Sequence, residues 1–182
     1  FAEPSLLILT SLSEGPKHGY AIMQDVDLAF AEELNPADDV LGRRWLVQQL
    51  DVPFIADESA TTPAEVTREV LGGSATALSV KTARTGFTGS QRVLHLAEGL
   101  GLEVVMGNQI DGQLGSICTV AFGAAHQRSS LHAGELSNFL DMSDDLLTEP
   151  LRIENGELAL RPGAGLGVEI DDDKLRRYRT DS

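Results

Sequence analysis

Three residues able to do proton and cation chemistry recur at almost even intervals. They are Glu32, Asp57 and Lys81, spaced 25 and 24 residues apart. Each directly follows a short apolar run: Leu28 to Ala31, Val52 to Ala56, and Ala77 to Val80. Such runs read as buried parallel strands, which are apolar on both faces. A repeat of strand and helix gathers the strand C-terminal ends on one rim, the face that carries chemistry in βα barrels. Two carboxylates on that rim could share a hard divalent cation, which takes oxygen ligands from several rigid elements. An amine beside them could move a proton once it has shed its own, which burial and neighbouring positive charge favour. Taken singly, a carboxylate at a strand end is as well explained as a helix cap. The even spacing is what sets these three apart.

The elements that must position them follow in alternation. A fourth strand is expected over Leu102 to Met106 and a weaker fifth over Ala133 to Phe139, with rim positions at Gly107-Asn108-Gln109 and near Glu135. Helical spacing of apolar residues runs from Asp38 to Leu50 and from Thr88 to Leu100, which Gly101 ends. Thr62-Pro63 reads as an N-cap with proline in the first turn, and Gly72-Gly73 as the stop. Gly115 to Gln127 is a further apolar helix. The alternation implies an α/β fold with a parallel sheet. Beyond it, Leu151 to Leu160 reads as a hairpin about Asn155-Gly156. The glycines at 163, 165 and 167 follow no first βα strand and precede no Lys-Ser/Thr pair, so they read as a tail loop rather than a nucleotide loop. Residues 1–26 break the strand–helix alternation. There an apolar helical run, Leu6 to Leu12, is interrupted at Gly15-Pro16 before a second helix.

Composition excludes several classes. The chain has 182 residues with a net charge of −14, which repels phosphate backbones and argues against nucleic acid partners. A single cysteine, Cys118, rules out an intrachain disulfide and a cysteine zinc site, and its apolar context suggests a packed thiol. No apolar run is long enough to span a bilayer and no signal-peptide pattern opens the chain, so a cytoplasmic protein is expected. His95, His126 and His132 read as helix-face or surface residues.

Several segments resemble the enolase superfamily, within it the muconate cycloisomerase subgroup. They are Phe30-Ala-Glu-Glu33, Val52-Pro-Phe-Ile-Ala-Asp-Glu-Ser59, Ser79-Val-Lys-Thr-Ala-Arg-Thr-Gly86, Leu96-Ala-Glu-Gly-Leu-Gly101 and Pro162-Gly-Ala-Gly-Leu-Gly-Val-Glu-Ile-Asp171. The resemblance implies a partial TIM-type (β/α)7β barrel, about strands 4–8, over residues 27–150, with 151–182 as the family's C-terminal tail. It implies proton abstraction α to a carboxylate, with the enolate stabilised on Mg²⁺ or Mn²⁺. By the same resemblance, Glu32 and Asp57 are metal carboxylates, Lys81 is the acid/base lysine and Glu135 is the acidic residue of the last strand. Glu33 and Glu58 read as neighbours rather than ligands. A small carboxylate substrate and an oligomer are implied too. Lysine at position 81 and the absence of histidine in Gly107-Asn-Gln-Ile-Asp111 depart from the mandelate racemase type. Glu135-Leu136-Ser137 lacks the Asp-x-Asp of dipeptide epimerases, leaving cycloisomerase, racemase and synthase activities open, with cycloisomerase preferred.

The family pattern also asks for a third metal carboxylate one repeat before Glu32, a Lys-x-Lys motif and a capping domain, none of which is found in these residues. Residues 1–26, through Gly15-Pro-Lys-His-Gly-Tyr20, resemble the opening of a PadR-type winged-helix regulator, with Lys17 their only basic residue. An incomplete enzyme is therefore expected, with a regulator fragment or a non-functional fusion product as the alternatives. Open sheet edges in such a remnant predict low stability.

Overall fold

In the computed structural model, residues 30–180 are described. The winged-helix-like segment 1–26 and the first two residues of the Leu28–Ala31 run lie outside them.

Four parallel strands form one sheet: β1 (Ala31–Glu32), β2 (Phe54–Ala56), β3 (Ala77–Val80) and β4 (Glu103–Met106), in the order β1-β2-β3-β4. Ala31 pairs with Phe54, Ile55 with Ala77, and Ala77 with Glu103. Between them run α1 (Val40–Gln49), α2 (Pro63–Gly72) and α3 (Thr82–Leu100), and α4 (Gln113–Ala124) follows β4. The central strands match their apolar sequences: every residue of β2 and β3 is out of solvent.

Local chemistry sets the helix ends. Asp39 caps α1 by accepting from Gly42 N at 2.8 Å. Thr62 and Glu65 form a reciprocal capping box: Glu65 N donates to Thr62 Oγ1 at 3.3 Å and Thr62 N to Glu65 Oε2 at 2.9 Å. Gly73 closes α2 at φ 67°, the left-handed region where a Cβ is penalised. The third helix begins earlier than the apolar spacing predicts. Its first turn, from Thr82, is split from the remainder at Gly86, with φ 66° and ψ 167°.

The sheet's two faces differ. Ala56, Leu78, Val80, Val104 and Met106 pack against Val66, Val93, Leu94 and Ala97 of α2 and α3 and Phe122 of α4, the main core. Ile55, Ala77 and Val105 form a smaller cluster, with Phe30 as its partly buried partner. A further core joins Ile117 of α4 to Phe139, Leu147 and Leu151, so the C-terminal residues are packed onto α4.

The expected fifth strand is a correction. Residues 133–139 make one parallel bridge, Gly107 with Glu135, with Glu135 N donating to Met106 O at 2.9 Å. Asn138–Asp141 is a 3-10 turn. Gly134 and the scattered apolar residues of this stretch give no alternating face to bury. The hairpin forms as expected: β5 (Ile153–Glu154) and β6 (Glu157–Leu158) are antiparallel, with Asn155 at φ 53° and Gly156 at φ 80°. The tail is more ordered than expected. A helix, α5 (Asp172–Tyr178), starts at Asp171, whose side chain accepts from Asp173 N and Lys174 N at 2.9 and 3.0 Å. No helix among the described residues is long and apolar enough to cross a membrane.

Candidate functional site

The parallel sheet brings the strand ends together as the spacing requires. Glu32 ends β1, Asp57 follows β2, and Lys81 follows β3 as the N-cap residue of α3. Glu135 joins from the single bridge beyond β4. Asp57 and Lys81 are both nearly inaccessible.

Asp57 is the centre of the cluster. Lys81 Nζ donates to its Oδ2, and Arg84 Nη2 donates to its Oδ1 at 2.7 Å. Burial by itself would raise the Asp57 carboxyl, but the two cationic donors outweigh it and hold the group below the ordinary carboxylate range. Glu32 goes the other way. Burial, then the charges of Glu135 and Asp57, push it up to about 7. The rim is thus crowded with carboxylates, of which Asp57 is the one held by two cationic donors.

Sequence spacing alone does not single out Arg84. The Gly86 break detaches the first turn of α3, and that turn carries Arg84 three residues past Lys81 to the second oxygen of Asp57. Its Nη1 stands 3.7 Å from Glu58 Oε1, so Glu58 is an exposed neighbour of the cluster, as expected. Glu33 is a brace: Asp57 N and Ser59 N each donate to its Oε1 at 2.9 Å, and Ser59 Oγ donates to the same oxygen. These bonds fix the turn that presents Asp57. Gly107 contributes by its missing side chain, since a Cβ there would stand 3.0 Å from Lys81 Cε and 2.8 Å from Ser79 Oγ.

Lys81 and Glu135 face a cavity of about 530 Å³, shared with Glu58, Asn108, Ser137 and Asn138. Its volume suits a small molecule. Whether the rim suits a cation can be judged from its charges. Burial first, and then the charges of Glu135 and Asp57, push Glu32 up to about 7, and a divalent cation would relieve the repulsion among these carboxylates. Glu32 and Asp57 thus fit as two oxygen ligands on neighbouring strands. Among the described residues no group of three or more His, Cys, Asp or Glu side chains is arranged to hold a metal by itself.

Two of the described histidines have partners elsewhere: His126 Nδ1 lies 2.8 Å from Phe122 O, and His132 pairs with Glu103 at 2.9 Å. Cys118 is half-buried, its thiol raised by burial and then by Asp111.

Comparison with known proteins agrees with the fold. Residues 17–174 match the family described as enolase C-terminal domain-like, a match that begins inside the 1–26 segment. Muconate cycloisomerase 1-2 of Acinetobacter lwoffii is 31% identical over 160 residues, 87% of this chain and 41% of that protein. The crystal structure of a muconate lactonizing enzyme from Mucobacterium Smegmatis is 76% identical, with a TM-score of 0.84 over 88% of this chain and 45% of that one. A second structure of that enzyme, complexed with muconolactone, also gives 0.84. The chain spans less than half the length of these relatives.

Proposed function

This chain belongs to the enolase C-terminal domain-like family, and we propose that its strand-end rim is the proton-transfer site of a cycloisomerase acting on a small carboxylate of the muconate type. One observation carries the reading. Lys81 is buried at a strand end, held by Asp57, and opens onto a cavity that it shares with Glu135.

Lys81 is the group that would take or return the proton on the carbon next to the substrate carboxylate. Asp57 fixes its Nζ, and Arg84 in turn fixes Asp57, so the amine keeps one position relative to the cavity. Glu135, which lines the same cavity, would act as the second acidic group. Glu32 and Asp57 would hold Mg²⁺ or Mn²⁺, which when bound would supply positive charge to the negative charge developing on the substrate carboxylate. Asp57 would then be shared between the cation and its two protein donors.

The relatives named as muconate cycloisomerase and muconate lactonizing enzyme support this substrate class over a racemase or synthase. The test is turnover of muconate and muconolactone by the purified chain with Mg²⁺ or Mn²⁺. Lys81→Ala is expected to lower it by about 10²–10⁴-fold, the usual worth of a general acid–base. A Lys81→Ala chain as active as its parent would sink the assigned role.

A further inference from the structure

We propose that Asn108 is a ligand-recognition residue of the rim cavity, its side-chain amide binding a carboxylate oxygen of the bound molecule. The inference rests on the reading of the rim as a carboxylate site and adds a residue that the proton-transfer chemistry does not use.

Asn108 lies two residues past the end of β4, one residue beyond the position level with Lys81. It is 5% exposed and lines the cavity with Lys81 and Glu135. Its Nδ2 donates to Ser116 Oγ, in α4, at 2.8 Å. Its Oδ1 is buried and has no hydrogen-bond partner among the described residues. Most buried polar side-chain atoms have at least one partner, because an unpaired one forfeits its hydration with nothing in return. An unsatisfied amide on a residue that lines a polar cavity therefore has spare bonding capacity for a ligand to use.

The chemistry of the pair decides which ligand. A serine hydroxyl both donates and accepts, so the Asn108 amide can turn over and keep its bond to Ser116. One orientation leaves Oδ1 spare, and the other leaves Nδ2 spare as a donor. Lys81 in the same cavity is committed to Asp57, and Glu58 and Glu135 repel an anion, whereas Asn108, Gln109, Ser137 and Asn138 supply neutral polar groups. A ligand carboxylate settles on these groups, with the Nδ2 orientation of Asn108 donating to it.

Muconolactone is the probe, titrated calorimetrically into the full chain with Mg²⁺ present. Asn108→Leu, similar in size but unable to hydrogen-bond, is expected to weaken binding about tenfold or more. Asn108→Asp is expected to weaken it further, by placing a fixed negative charge against the ligand. The double variant N108L/S116A removes both partners of the bond and is expected to melt no lower than its parent. Its melting several degrees lower would assign Asn108 to the fold and overturn the inference. In the unaltered chain, the Asn108 side-chain NH₂ signals should move in an NMR titration with muconolactone. Unmoved signals, or an Asn108→Leu affinity within twofold of the parent, would also overturn it. The two readings separate cleanly: full turnover by Lys81→Ala defeats proton transfer at Lys81 alone, whereas unchanged binding by Asn108→Leu defeats recognition at Asn108 alone.

Discussion

Among the described residues, one buried cluster of charge lies on the strand-end rim and another between the outer helices. In the helix layer, Glu69 and Arg43 are both fully inaccessible. Glu69 Oε2 accepts from Arg43 Nη2 at 2.7 Å and Ser74 Oγ at 2.6 Å, and its Oε1 accepts from Arg68 at 3.1 and 3.2 Å. Its carboxylate is thus surrounded by donors. On the rim, Asp57 is held by Lys81 and Arg84, but Glu32 and Glu135 crowd beside it. The residue types are alike, while the balance is not. The helix-layer cluster, its carboxylate filled although Arg43 Nε has no hydrogen-bond partner among the described residues, ties α1 to α2. An unbalanced one keeps capacity for a cation or a ligand, and such local disagreement with folding rules tends to fall where function lies.

The comparison can be broken most readily at Glu69. Glu69→Ala leaves Arg43 buried without its carboxylate and is expected to cost about 3–5 kcal/mol in urea unfolding. A loss below about 1 kcal/mol, the level of an exposed pair, would show that the helix-layer pair does not hold the fold. Asp57→Asn, at the rim, should cost less, about 1.5–3 kcal/mol, the range for hydrogen bonds to charged groups. A loss larger than that of Glu69→Ala would reverse the ranking.

The two clusters should also respond to pH with opposite sign. Burial alone would raise Glu69, but Ser74 and Arg43 outweigh it and hold the group below its usual value. Its stabilisation is present above the unfolded-state value and is lost as pH falls, so Glu69→Ala should flatten the acid limb of the stability curve. Glu32 is raised to about 7, so the folded state keeps a proton that the unfolded state has released. Stability is therefore lost as pH rises from the ordinary carboxylate range through about 7. Glu32→Gln should recover on the order of 1 kcal/mol at about pH 8, allowing for partial exposure, and little at about pH 5. Added Mg²⁺ should raise the parent's Tm at that higher pH more than that of Glu32→Gln; equal shifts would remove Glu32 as a ligand. The smallest effect is expected at the surface. Arg176 meets Asp173 at 2.5 Å with both side chains well exposed, and Arg176→Ala should leave Tm unchanged.

Much of this is legible in the sequence because it depends on local pattern. The 77–80 strand appears with its expected bounds, and Thr62, Pro63 and Gly73 delimit α2 as their backbone preferences dictate. Glu32, Asp57 and Lys81 converge because strand ends in a parallel sheet must, and Glu135 joins them through a single bridge to Gly107. What cannot be read depends on contacts between distant residues. Arg84 looks like any helical arginine until Gly86 is seen to detach its turn. The Arg43–Glu69 pair is 26 residues apart in sequence, with nothing in either helix to announce it. The helix at 172–178 has no apolar stripe, and its signal is electrical: aspartates in the first turn and arginines in the last. The 133–139 stretch misleads because its apolar residues are present without the alternation that a half-buried strand requires.

The order of the strands also shapes how the chain can fold. Bridging partners stand 23, 22 and 26 residues apart, at Ala31–Phe54, Ile55–Ala77 and Ala77–Glu103. Each strand therefore closes a loop of similar modest length onto the one before it, and none of these pairings waits for a distant segment. The entropic barrier to each addition is nearly uniform, so the sheet can grow by accretion of successive units. The longest pairing, β3 with β4, is a natural starting nucleus, with β1, outermost among the described residues, a later addition. Hydrogen exchange should then protect Leu78 and Val104 long after Ala31 has exchanged, and Glu32 would be the first rim residue to leave its place.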